Sequence, residues 1–424
     1  MRVWVGIDDT DSKDGMCTTY LAKILMDRIQ ESLGRIIGLP RLIRLNPNIP
    51  FKTRGNGSVS FLVETDNLSE LVDLANETVL EYAELDDSNT DPGAVFVDAD
   101  DDNLLDTLYR FSLRAIRDVV SIDEALFLVG KHLIPHLKYK RGRGLIGALA
   151  SVGAECRDTT IELLAYRKKE KFGRKREFNP DSFFLADLLT YPETFDTVDW
   201  GNDAVVSVPN SPDPVLFGIR GNSITAVMRA YETVETEEID MYQVFVTNQA
   251  TDMHLYHEDE IQMLMENRSF ILSGKVSEEP FEIEGGHVFF SISTRFGEVR
   301  CAAFEPTKQF RNAVRKLRRG DEVVVFGSFK DETINLEKLK IERLAEVYEE
   351  LNPLCWKCGK RMESEGKGKG FRCRRCRTKA REKVKVKIER NIEPGYYEAP
   401  PVARRHLSKP LIRMGNWASI HVFR

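Results

Sequence analysis

The stretch Val3-Trp4-Val5-Gly6-Ile7-Asp8-Asp9-Thr10-Asp11-Ser12 is the most informative local pattern in this 424-residue chain. Its apolar run predicts a buried β-strand. The run ends in the carboxylates of Asp8, Asp9 and Asp11, which repel one another unless a cation lies between them. Carboxylates crowded at the end of a strand are typical of a Mg²⁺ site. The alternative interpretation is an acidic turn that binds nothing.

The residues after this turn indicate a helix N-terminus beside the carboxylates. Gly15 breaks the chain, and Thr18 and Thr19 stand where a helix over residues 18–33 is expected to begin. The free backbone N–H groups of a helix N-terminus bind phosphate, and Ser and Thr hydroxyls add to that binding. Acids for a metal next to a phosphate site favour nucleotide chemistry, whereas the alternative is an ordinary helix cap.

Length, composition and cysteine use limit the class of protein. The length predicts roughly two to four domains, and no stretch approaches the apolar length of a membrane helix. The N-terminus enters a strand directly, so we expect no signal peptide. Four of the seven cysteines form two Cys-x-x-Cys pairs, and the others are scattered at Cys17, Cys156 and Cys301. This pattern indicates a metal site in a reducing cytoplasm and argues against a disulfide scaffold.

The net charge of −6 hides a strong polarity along the chain. From Cys355 to the C-terminus there are 20 Lys and Arg residues against 6 Asp and Glu, a balance of +14, while the remainder carries −20. A strongly basic end is typical of a region that binds a polyanion such as nucleic acid. The acidic remainder is explained equally well as solubilising surface.

Residues 46–57 contain too many Pro, Gly and Asn for regular structure. This segment also carries Lys52 and Arg54 among its glycines, and we interpret it as a candidate substrate loop.

Residues 142–147 read Gly-x-Gly-x-x-Gly and run into a helix of small residues, with Lys140 and Arg143 beside the glycines. Glycines, a helix start and counter-charges are what a phosphate cradle requires. The residues before the motif do not form a clear strand, so the context of a dinucleotide-binding fold is missing. A tight basic turn is the alternative.

A new unit opens after Trp200. Three prolines around Asp213 make a rigid loop that places one carboxylate near Phe217. A carboxylate and an aromatic face suit a cationic or guanidinium ligand. A purely structural loop is the alternative. The histidines show no metal-ligand spacing, and we expect His254 and His257 at the surface.

Residues 269–344 predict five short strands with one helical piece between the third and the fourth. This order is typical of an OB-fold β-barrel, whose open face binds single-stranded nucleic acid. The expected strands are 270–276, 287–293, 298–304, 322–329 and 335–341, and the expected helix spans 307–317.

The spacing of Cys355, Cys358, Cys373 and Cys376 predicts a zinc ribbon. Four thiolates complete a tetrahedral zinc site and leave no open position, so this Zn²⁺ is expected to be structural. An iron–sulfur site or unliganded thiols are the alternatives. Cationic and aromatic side chains around the knuckles suit RNA phosphates and bases, and the candidates are Lys357, Arg372, Arg374, Arg375 and Arg377 with Trp356 and Phe371.

Taken together, these motifs resemble one family, the archaeal isoleucine-tRNA 2-agmatinylcytidine synthetases. The resemblance covers essentially the whole chain and rests on the acidic strand end, the 46–57 loop, the 142–150 segment, the 213–221 segment, the barrel and the Cys₄ ribbon. It implies a multidomain α+β fold. The implied parts are a kinase-like α/β catalytic domain (1–195), a ferredoxin-like, agmatine-binding region (196–265), an OB fold (266–346), a zinc ribbon (350–380) and a basic tail (381–424).

The resemblance implies an ATP-dependent ligase that forms a C–N bond on tRNA and releases AMP and phosphate. Agmatine replaces the C2 oxygen of the wobble cytidine in an isoleucine tRNA with a CAU anticodon, which switches decoding from AUG to AUA. The C2 oxygen is a poor leaving group, so it must first be activated, for example by phosphorylation, with Mg²⁺ and ATP held by acids and cations. Neither a membrane nor an obligate protein partner is indicated.

The chemistry that the resemblance implies agrees with the sequence motifs described above, and the site residues are assigned from both. Asp8, Asp9 and Asp11 are assigned to Mg²⁺, and Thr18 to phosphate binding or transient phosphorylation. The triphosphate is assigned to Lys140, Gly142, Arg143 and Gly144, supported by Thr10, Ser12 and Thr19. Lys52 and Arg54 are expected to line the same cleft, and Asp213 with Phe217 is the agmatine candidate.

Two other functions compete with this one. A non-enzymatic single-stranded nucleic-acid-binding protein would use the barrel and the ribbon, but it leaves the carboxylates and the glycine loop without a task. An ATP-dependent enzyme acting on a small molecule leaves the basic end unexplained. ATP hydrolysis that tRNA stimulates and that Asp9→Ala abolishes would separate the three.

Overall fold

The computed structural model describes residues 1–52, 55–155 and 157–415, together with the backbone of residues 420–421. Arg54 of the predicted substrate loop and Cys156 lie outside the described residues. Within the described part of the chain, no helix is both long enough and apolar enough to cross a membrane.

The N-terminal unit alternates strands and helices, and its first strand is the apolar run that ends at Asp8. Val3, Val5 and Ile7 are buried together against the first two helices, because alternate side chains of a strand point to one face. The elements are β1 (Arg2–Asp8), α1 (Thr18–Ser32), β2 (Gly34–Arg44), β3 (Gly57–Thr65), α2 (Leu68–Tyr82) and β4 (Gly93–Asp98).

Further helices cover the other face of this sheet. They are α3 (Asp102–Arg117), α4 (Ile122–His132) and α5 (Gly144–Gly153), with the edge strand β5 (His136–Lys138) before α5. A capping box at Ser121 and Glu124 begins α4. Helix α5 lies directly on β1, where a Cβ on Gly6 would stand 2.3 Å from the carbonyl oxygen of Ala148. Glycine permits this close approach of the two backbones.

The middle unit continues the same sheet. Its elements are β6 (Thr160–Arg167), α6 (Pro180–Thr190), β7 (Thr194–Phe195), β8 (Val198–Asp199), β9 (Ala204–Val205), β10 (Val215–Gly221), α7 (Ile224–Thr233) and β11 (Ile239–Thr247). The strand order over the whole sheet is β5-β4-β1-β3-β2-β11-β6-β10-β7. The orders β4-β1-β3-β2 and β11-β6-β10-β7 repeat one antiparallel pattern, and the parallel pair of β2 and β11 joins the two halves.

A closed five-stranded barrel follows. Its strands are β13 (Arg268–Glu282), β14 (Val288–Thr294), β15 (Gly297–Ala303), β16 (Glu322–Lys330) and β17 (Thr333–Arg343), and β12 (Leu255–His257) precedes them. Strand β16 pairs with both β13 and β17, and β15 pairs with β17, which closes the barrel. Helix α8 (Phe310–Arg315) lies between β15 and β16, so the predicted order of strands and helix is confirmed.

The C-terminal region leaves the barrel, forms the ribbon and returns. Strand β18 (Tyr348–Leu351) pairs with β22 (Val384–Lys387) at the base of the ribbon, whose own strands are β19 (Glu363–Ser364), β20 (Phe371–Arg372) and β21 (Lys379–Ala380). Strand β23 (Gly395–Glu398) then pairs with β17, and β24 (Ile420–His421) pairs with β23. The alternating Lys and Val residues at positions 383–387 thus contribute strand β22.

Candidate active site

A cleft of about 450 Å³ opens where several separate segments of the chain meet. Most of its lining comes from the end of β1, the start of α1, residues 42–52 and 55–57, residues 115–120, residues 143–147, residues 162–164, residues 206–220 and the returning tail at residues 401–406. Of the predicted site residues, those that line it are Asp8, Asp9, Asp11, Thr18, Thr19, Lys52, Arg143 and Asp213.

Asp8 stands at the end of β1 against helix α5. A Cβ on Gly147 would lie 1.9 Å from Oδ2 of Asp8, so only glycine leaves room for this carboxylate. Burial raises the pKa of Asp8 well above its usual range, and the charges of Asp9 and Asp11 raise it further. A group that is costly to ionise in the free protein is well suited to a divalent cation, which would favour the charged form.

Asp9 adopts a left-handed backbone conformation, with φ of 60°, which turns the chain sharply after β1. Arg143 lies 3.2 Å from its carboxylate, and the backbone N–H of Asp91 donates to Oδ2 over 3.3 Å. Burial raises the pKa of Asp9 to about 6, even though Arg143 acts in the opposite direction. The acidic turn and the glycine-rich turn are thus brought into contact although they are far apart in sequence.

Thr18 is the first residue of α1 and lines the cleft. Its Oγ1 accepts hydrogen bonds from Oγ1 of Thr10 over 3.1 Å and from the backbone N–H of Thr10 over 3.4 Å. Thr10 is itself buried and does not line the cleft, and Ser12 closes the turn by accepting from the N–H of Asp14. Thr10 and Ser12 therefore shape the turn that presents Thr18.

Of the residues in the glycine-rich turn that the sequence assigns to phosphate binding, only some lie at the cleft. Lys140 is exposed outside the cleft, and its Nζ donates to the carbonyl oxygen of Asp87 over 2.6 Å. A Cβ on Gly144 would stand 2.5 Å from the carbonyl oxygen of Asp8, so this glycine serves helix–strand contact. Gly142 has φ of +72° and turns the chain without lining the cleft. Arg143 is the member of this group that faces the cleft.

The predicted substrate loop is anchored on the barrel. Nδ2 of Asn46 donates to the carbonyl oxygen of Asn267 over 3.0 Å, and Nδ2 of Asn48 donates to Oγ of Ser269 over 2.9 Å. Lys52 reaches the cleft from this loop. Burial lowers its pKa, and the neighbouring charges of Arg405 and Lys330 lower it further. The barrel thus fixes one wall of the cleft.

A largely buried ionic network forms another wall of the cleft, and sequence analysis missed it. Nε of Arg220 donates to Glu162 over 2.9 Å, and Nη2 of Arg44 lies 3.8 Å from the same carboxylate. Gln249 also donates to Glu162, and Arg220 contacts His406 over 2.8 Å. Burial raises the pKa of Glu162, but the two arginines and the hydrogen bond from Gln249 outweigh burial and leave that pKa lowered. Because these residues come from β2, β6, β10 and the tail, no local sequence pattern predicts that they form one network.

Asp213 lines the cleft, but its predicted aromatic partner does not. Phe217 is fully buried in the core between the sheet and helices α6 and α7, because alternate residues of β10 point inward. The idea of an exposed Phe217 face is therefore wrong. Oδ1 of Asp213 lies 3.2 Å from Nη2 of Arg176 and accepts from the N–H of Val215. Nearby in the cleft, Ser207 has a buried Oγ with no hydrogen-bond partner among the described residues.

His254 is buried, which contradicts the expected surface position, whereas His257 is exposed as expected. Nε2 of His254 lies 3.1 Å from Glu337 of the barrel strand β17. His254 follows β11 closely, so the chain passes from the sheet to the barrel through this contact. A single histidine in a polar context carries no signal of such a tertiary role.

The four ribbon cysteines meet as predicted. Their sulfur atoms all lie within 4.8 Å of one another, and the Sγ atoms of Cys358 and Cys373 are 3.6 Å apart. Zn–S bonds of about 2.3 Å in a tetrahedral site place sulfurs roughly 3.8 Å apart, so the donor set fits zinc. The five predicted cationic contacts are exposed, as is Trp356, but Phe371 packs inside the ribbon and is unavailable for stacking.

Known protein families match the N-terminal unit, the middle unit and the ribbon of this chain, in that order. Residues 4–141 match the family described as TiaS TCKD domain, residues 142–254 match TiaS FLD domain, and residues 352–392 match TiaS C-terminal zinc ribbon domain. An isoleucine-tRNA 2-agmatinylcytidine synthetase, TiaS, of Archaeoglobus fulgidus is 61% identical over 424 residues, and the match covers 100% of both chains.

Solved structures agree in fold over the full length. The crystal structure of a complex of TiaS with its isoleucine tRNA and ATP matches with a TM-score of 0.95 at 61% identity, covering 100% of both chains. That of a complex of TiaS with the same tRNA, AMPCPP and agmatine matches with a TM-score of 0.92 at 58% identity, again over 100% of both chains. With full-length identity at this level and all three domain families in sequence, the chain belongs to the TiaS family of isoleucine-tRNA 2-agmatinylcytidine synthetases.

Proposed function

We propose that this protein is an ATP-dependent ligase that joins agmatine to C2 of the wobble cytidine in the CAU anticodon of an isoleucine tRNA. The observation that carries the proposal is the single cleft in which acids, a helix N-terminus and a cationic wall meet. The related chains are named for this synthesis and have been solved with isoleucine tRNA, ATP and agmatine. The reaction changes decoding from AUG to AUA.

Asp8, Asp9 and Asp11 would hold Mg²⁺ in the cleft. The raised pKa values of Asp8 and Asp9 support this assignment, because crowded carboxylates are stabilised when a cation neutralises them. When bound, Mg²⁺ would neutralise charge on the ATP phosphates. Arg143, which already contacts Asp9, is placed to bind phosphate oxygens beside that site.

The chemistry requires the cytidine C2 oxygen to leave. Transfer of the γ-phosphoryl group of ATP to that oxygen makes it a leaving group, and hydrolysis of the remaining ADP between its α- and β-phosphates would account for the release of AMP. The amine of agmatine then forms a bond to C2, the C2–O bond breaks with the oxygen departing on phosphate, and the amine loses a proton. Water competes with the amine at the activated carbon, so a cleft enclosed by the tail and the barrel-anchored loop favours the intended product.

Thr18 is proposed as a phosphate ligand or transient phosphoacceptor. Two hydrogen bonds from Thr10 hold its Oγ1 at the cleft beside the acidic turn. Incubation of wild-type and Thr18→Ala protein with γ-labelled ATP tests the acceptor role. Label on the protein that is lost in Thr18→Ala supports it, and wild-type labelling of the variant rules it out.

Agmatine is proposed to bind near Asp213. The carboxylate already contacts Arg176, so a second guanidinium would have to share its oxygens, and the buried Oγ of Ser207 offers a further acceptor nearby. We expect Asp213→Asn to raise the KM for agmatine with little change in the KM for ATP. An unchanged agmatine KM would remove Asp213 from the site.

The basic ribbon and tail are proposed to hold the tRNA. Exposed Lys357, Arg374 and Arg375 suit phosphate contacts, and exposed Trp356 suits stacking on a base. An anticodon-loop base is unpaired, so it can enter the cleft without breaking a duplex. The barrel is proposed to contact another part of the tRNA. A reducing cytoplasm fits the free thiols.

We further propose that the N-terminal unit is the kinase-like domain and that the middle unit is ferredoxin-like. The βαββαβ order of β6, α6, β7, β10, α7 and β11, with its 4-1-3-2 strand arrangement, supports the second assignment. The domain boundaries at residues 195, 265, 346 and 380 stay predictions. Strands β6 and β10, which pair directly, lie on opposite sides of the first boundary.

The decisive experiment is mass spectrometry of nucleosides from a CAU-anticodon isoleucine tRNA incubated with protein, Mg²⁺–ATP and agmatine. Cytidine that gains agmatine with loss of water is the expected product. Asp9→Ala protein, shown to be folded, is the matched control and should give none. Unmodified cytidine from folded, zinc-loaded wild-type protein would refute the proposal.

A further inference from the structure

His406 belongs to the returning tail, yet it lines the cleft together with Pro401, Val402 and Arg404. The backbone fixes its position, because the N–H of Ala250 donates to the carbonyl oxygen of His406 over 2.7 Å. Neither metal binding nor the activation of ATP requires a side chain at this point of the wall. The histidine therefore needs an explanation of its own.

The tautomer of His406 follows from its neighbour. Nη2 of Arg220 lies 2.8 Å from Nδ1 of the ring. A guanidinium carries only donors, so Nδ1 must be the acceptor and must lack a proton. Burial and the charges of Arg44, Arg220 and Lys52 hold the pKa of His406 well below its usual range. The ring is therefore neutral, and its one proton lies on Nε2.

The surroundings keep both the ring and its proton in place. Arg220 is itself held by Glu162 over 2.9 Å, which prevents it from turning away from Nδ1. Nε2 faces the substrate loop, where a Cβ on Gly55 would stand 3.1 Å from it. Glycine keeps this approach open. Among the described residues, none accepts a hydrogen bond from Nε2, and His406 lines the cleft.

We propose that His406 is a substrate-binding residue whose Nε2–H donates a hydrogen bond to an acceptor atom of the nucleotide bound in the cleft. The acceptor is an oxygen or ring nitrogen of the target pyrimidine, or a phosphate oxygen. The ring is not a general base, because Nδ1 is occupied by Arg220 and Nε2 already carries the proton. This inference rests on the proposed function, and it adds the tail to the substrate-binding surface.

Two substitutions separate the hydrogen-bond donor at Nε2 of His406 from the acceptor at Nδ1 that holds Arg220. In His406→Gln, the amide NH₂ of Gln reaches the place of Nε2 and keeps a donor, while the acceptor for Arg220 is lost. In His406→Asn, Oδ1 takes the place of Nδ1 and keeps the acceptor for Arg220, while the donor is lost. We expect His406→Asn to lose about tenfold or more in kcat/KM and His406→Gln to keep most of it.

The Michaelis constants identify the source of the acceptor. A rise for tRNA alone indicates the target base or its own backbone, and a rise for ATP alone indicates a nucleotide phosphate. Full activity of His406→Asn with loss in His406→Gln would overturn the proposal, since the ring would then only anchor Arg220. Equal losses in both variants, or no loss in either, would overturn it as well.

Equilibrium binding tests the role of His406 even if the proposed function is wrong. If wild-type protein makes no product, the proposed function fails. The dissociation constants of ATP and of a CAU anticodon stem-loop can still be compared among wild type, His406→Asn and His406→Gln. The donor role expects weaker binding of one of these two ligands by His406→Asn than by His406→Gln. Equal affinities would refute it. Unchanged melting temperatures exclude a loss of folding as the cause.

Discussion

Asp9 shows how a single residue sets the pH range of the cleft. Its carboxylate must be ionised to hold a cation, and burial raises its pKa to about 6 in the free protein. We expect kcat/KM for ATP to fall below about pH 6 by up to tenfold per pH unit, because the protonated acid binds metal poorly. A pH profile of ATP hydrolysis in the presence of tRNA checks this. A profile that stays flat down to about pH 5 would contradict the role of Asp9.

The same raised pKa has a cost for folding. The ordinary pKa of Asp is 3.8 and the folded value is about 6, so ionisation above about pH 4 destabilises the folded state progressively, and fully above about pH 6. We expect Asp9→Asn to raise the free energy of unfolding by about 3 kcal/mol near neutral pH without Mg²⁺. Below about pH 4 the difference should vanish. Urea unfolding at both pH values measures it, and an Asp9→Asn protein less stable than wild type near neutral pH would contradict the argument.

Gly147 positions Asp8 through the space that it leaves. A Cβ there would lie 1.9 Å from Oδ2, so Gly147→Ala must displace the carboxylate or helix α5. We expect about a 100-fold loss of activity, since small displacements at a reacting centre are costly. Gly130→Ala is the matched control, because Gly130 also lies in a helix and has open space around it. It should be neutral or slightly stabilising. Equal activities of the two variants would disprove the packing argument.

Among the elements, strand β17 joins the barrel to the cleft-bearing sheet. The Lys338 side chain is 0% exposed, and its Nζ lies 2.6 Å from Asp252, at the end of the sheet unit. We expect Lys338→Ala to cost about 3–5 kcal/mol, because it leaves a largely buried carboxylate without its cation, although the backbone N–H of Lys409 still donates to it. Lys340→Ala on the same strand, whose side chain is 33% exposed and pairs with Glu342, should cost less than about 1 kcal/mol. Denaturant unfolding of both variants checks this, and similar losses would contradict it.

Local patterns predict the type of an element more reliably than its partners. The barrel strands are predictable because alternation of apolar residues is visible within each strand, and the acidic strand end is visible for the same reason. The anchoring of the 46–57 loop on the barrel is not, because Asn46 and Asn267 are 221 residues apart. Helix α6 escapes the sequence analysis, since several of its surface positions are apolar and hide its period: Leu185, Leu188 and Leu189 are exposed.

Within the molecule as a whole, the ribbon is a separate unit whose four clustered cysteines fit a zinc ion. Closed Cys₄ sites supply folding energy, and the ribbon core contains few other apolar side chains. We expect chelation to release one zinc per chain, to raise the Kd for tRNA about tenfold or more and to flatten its salt dependence. Binding of ATP in the cleft should not change. Cys301→Ser, outside the cluster, is the control and should keep its zinc. Loss of ATP binding on chelation would refute the independence of the ribbon.

The sequence alone predicts those features of this protein that depend on neighbouring residues. Three acids at a strand end, paired cysteines at ribbon spacing and a basic C-terminal region are all read from neighbouring residues, and their reasons are local: charge repulsion, ligand spacing and counter-charge. These features are enough to predict the metal candidates and the polyanion-binding end of the molecule.

Which side chains share the cleft depends on the tertiary structure. Folding brings Arg44, Glu162, Arg220 and His406 together from four distant segments, buries Phe217, and leaves Lys140 outside. A strand's pattern shows that alternate residues are buried but does not show which face meets a cavity or which strand lies beside it. The packing of whole elements determines which side chains meet at the cleft. The parallel pairing of β2 with β11 and the return of the tail to the sheet contribute most to it.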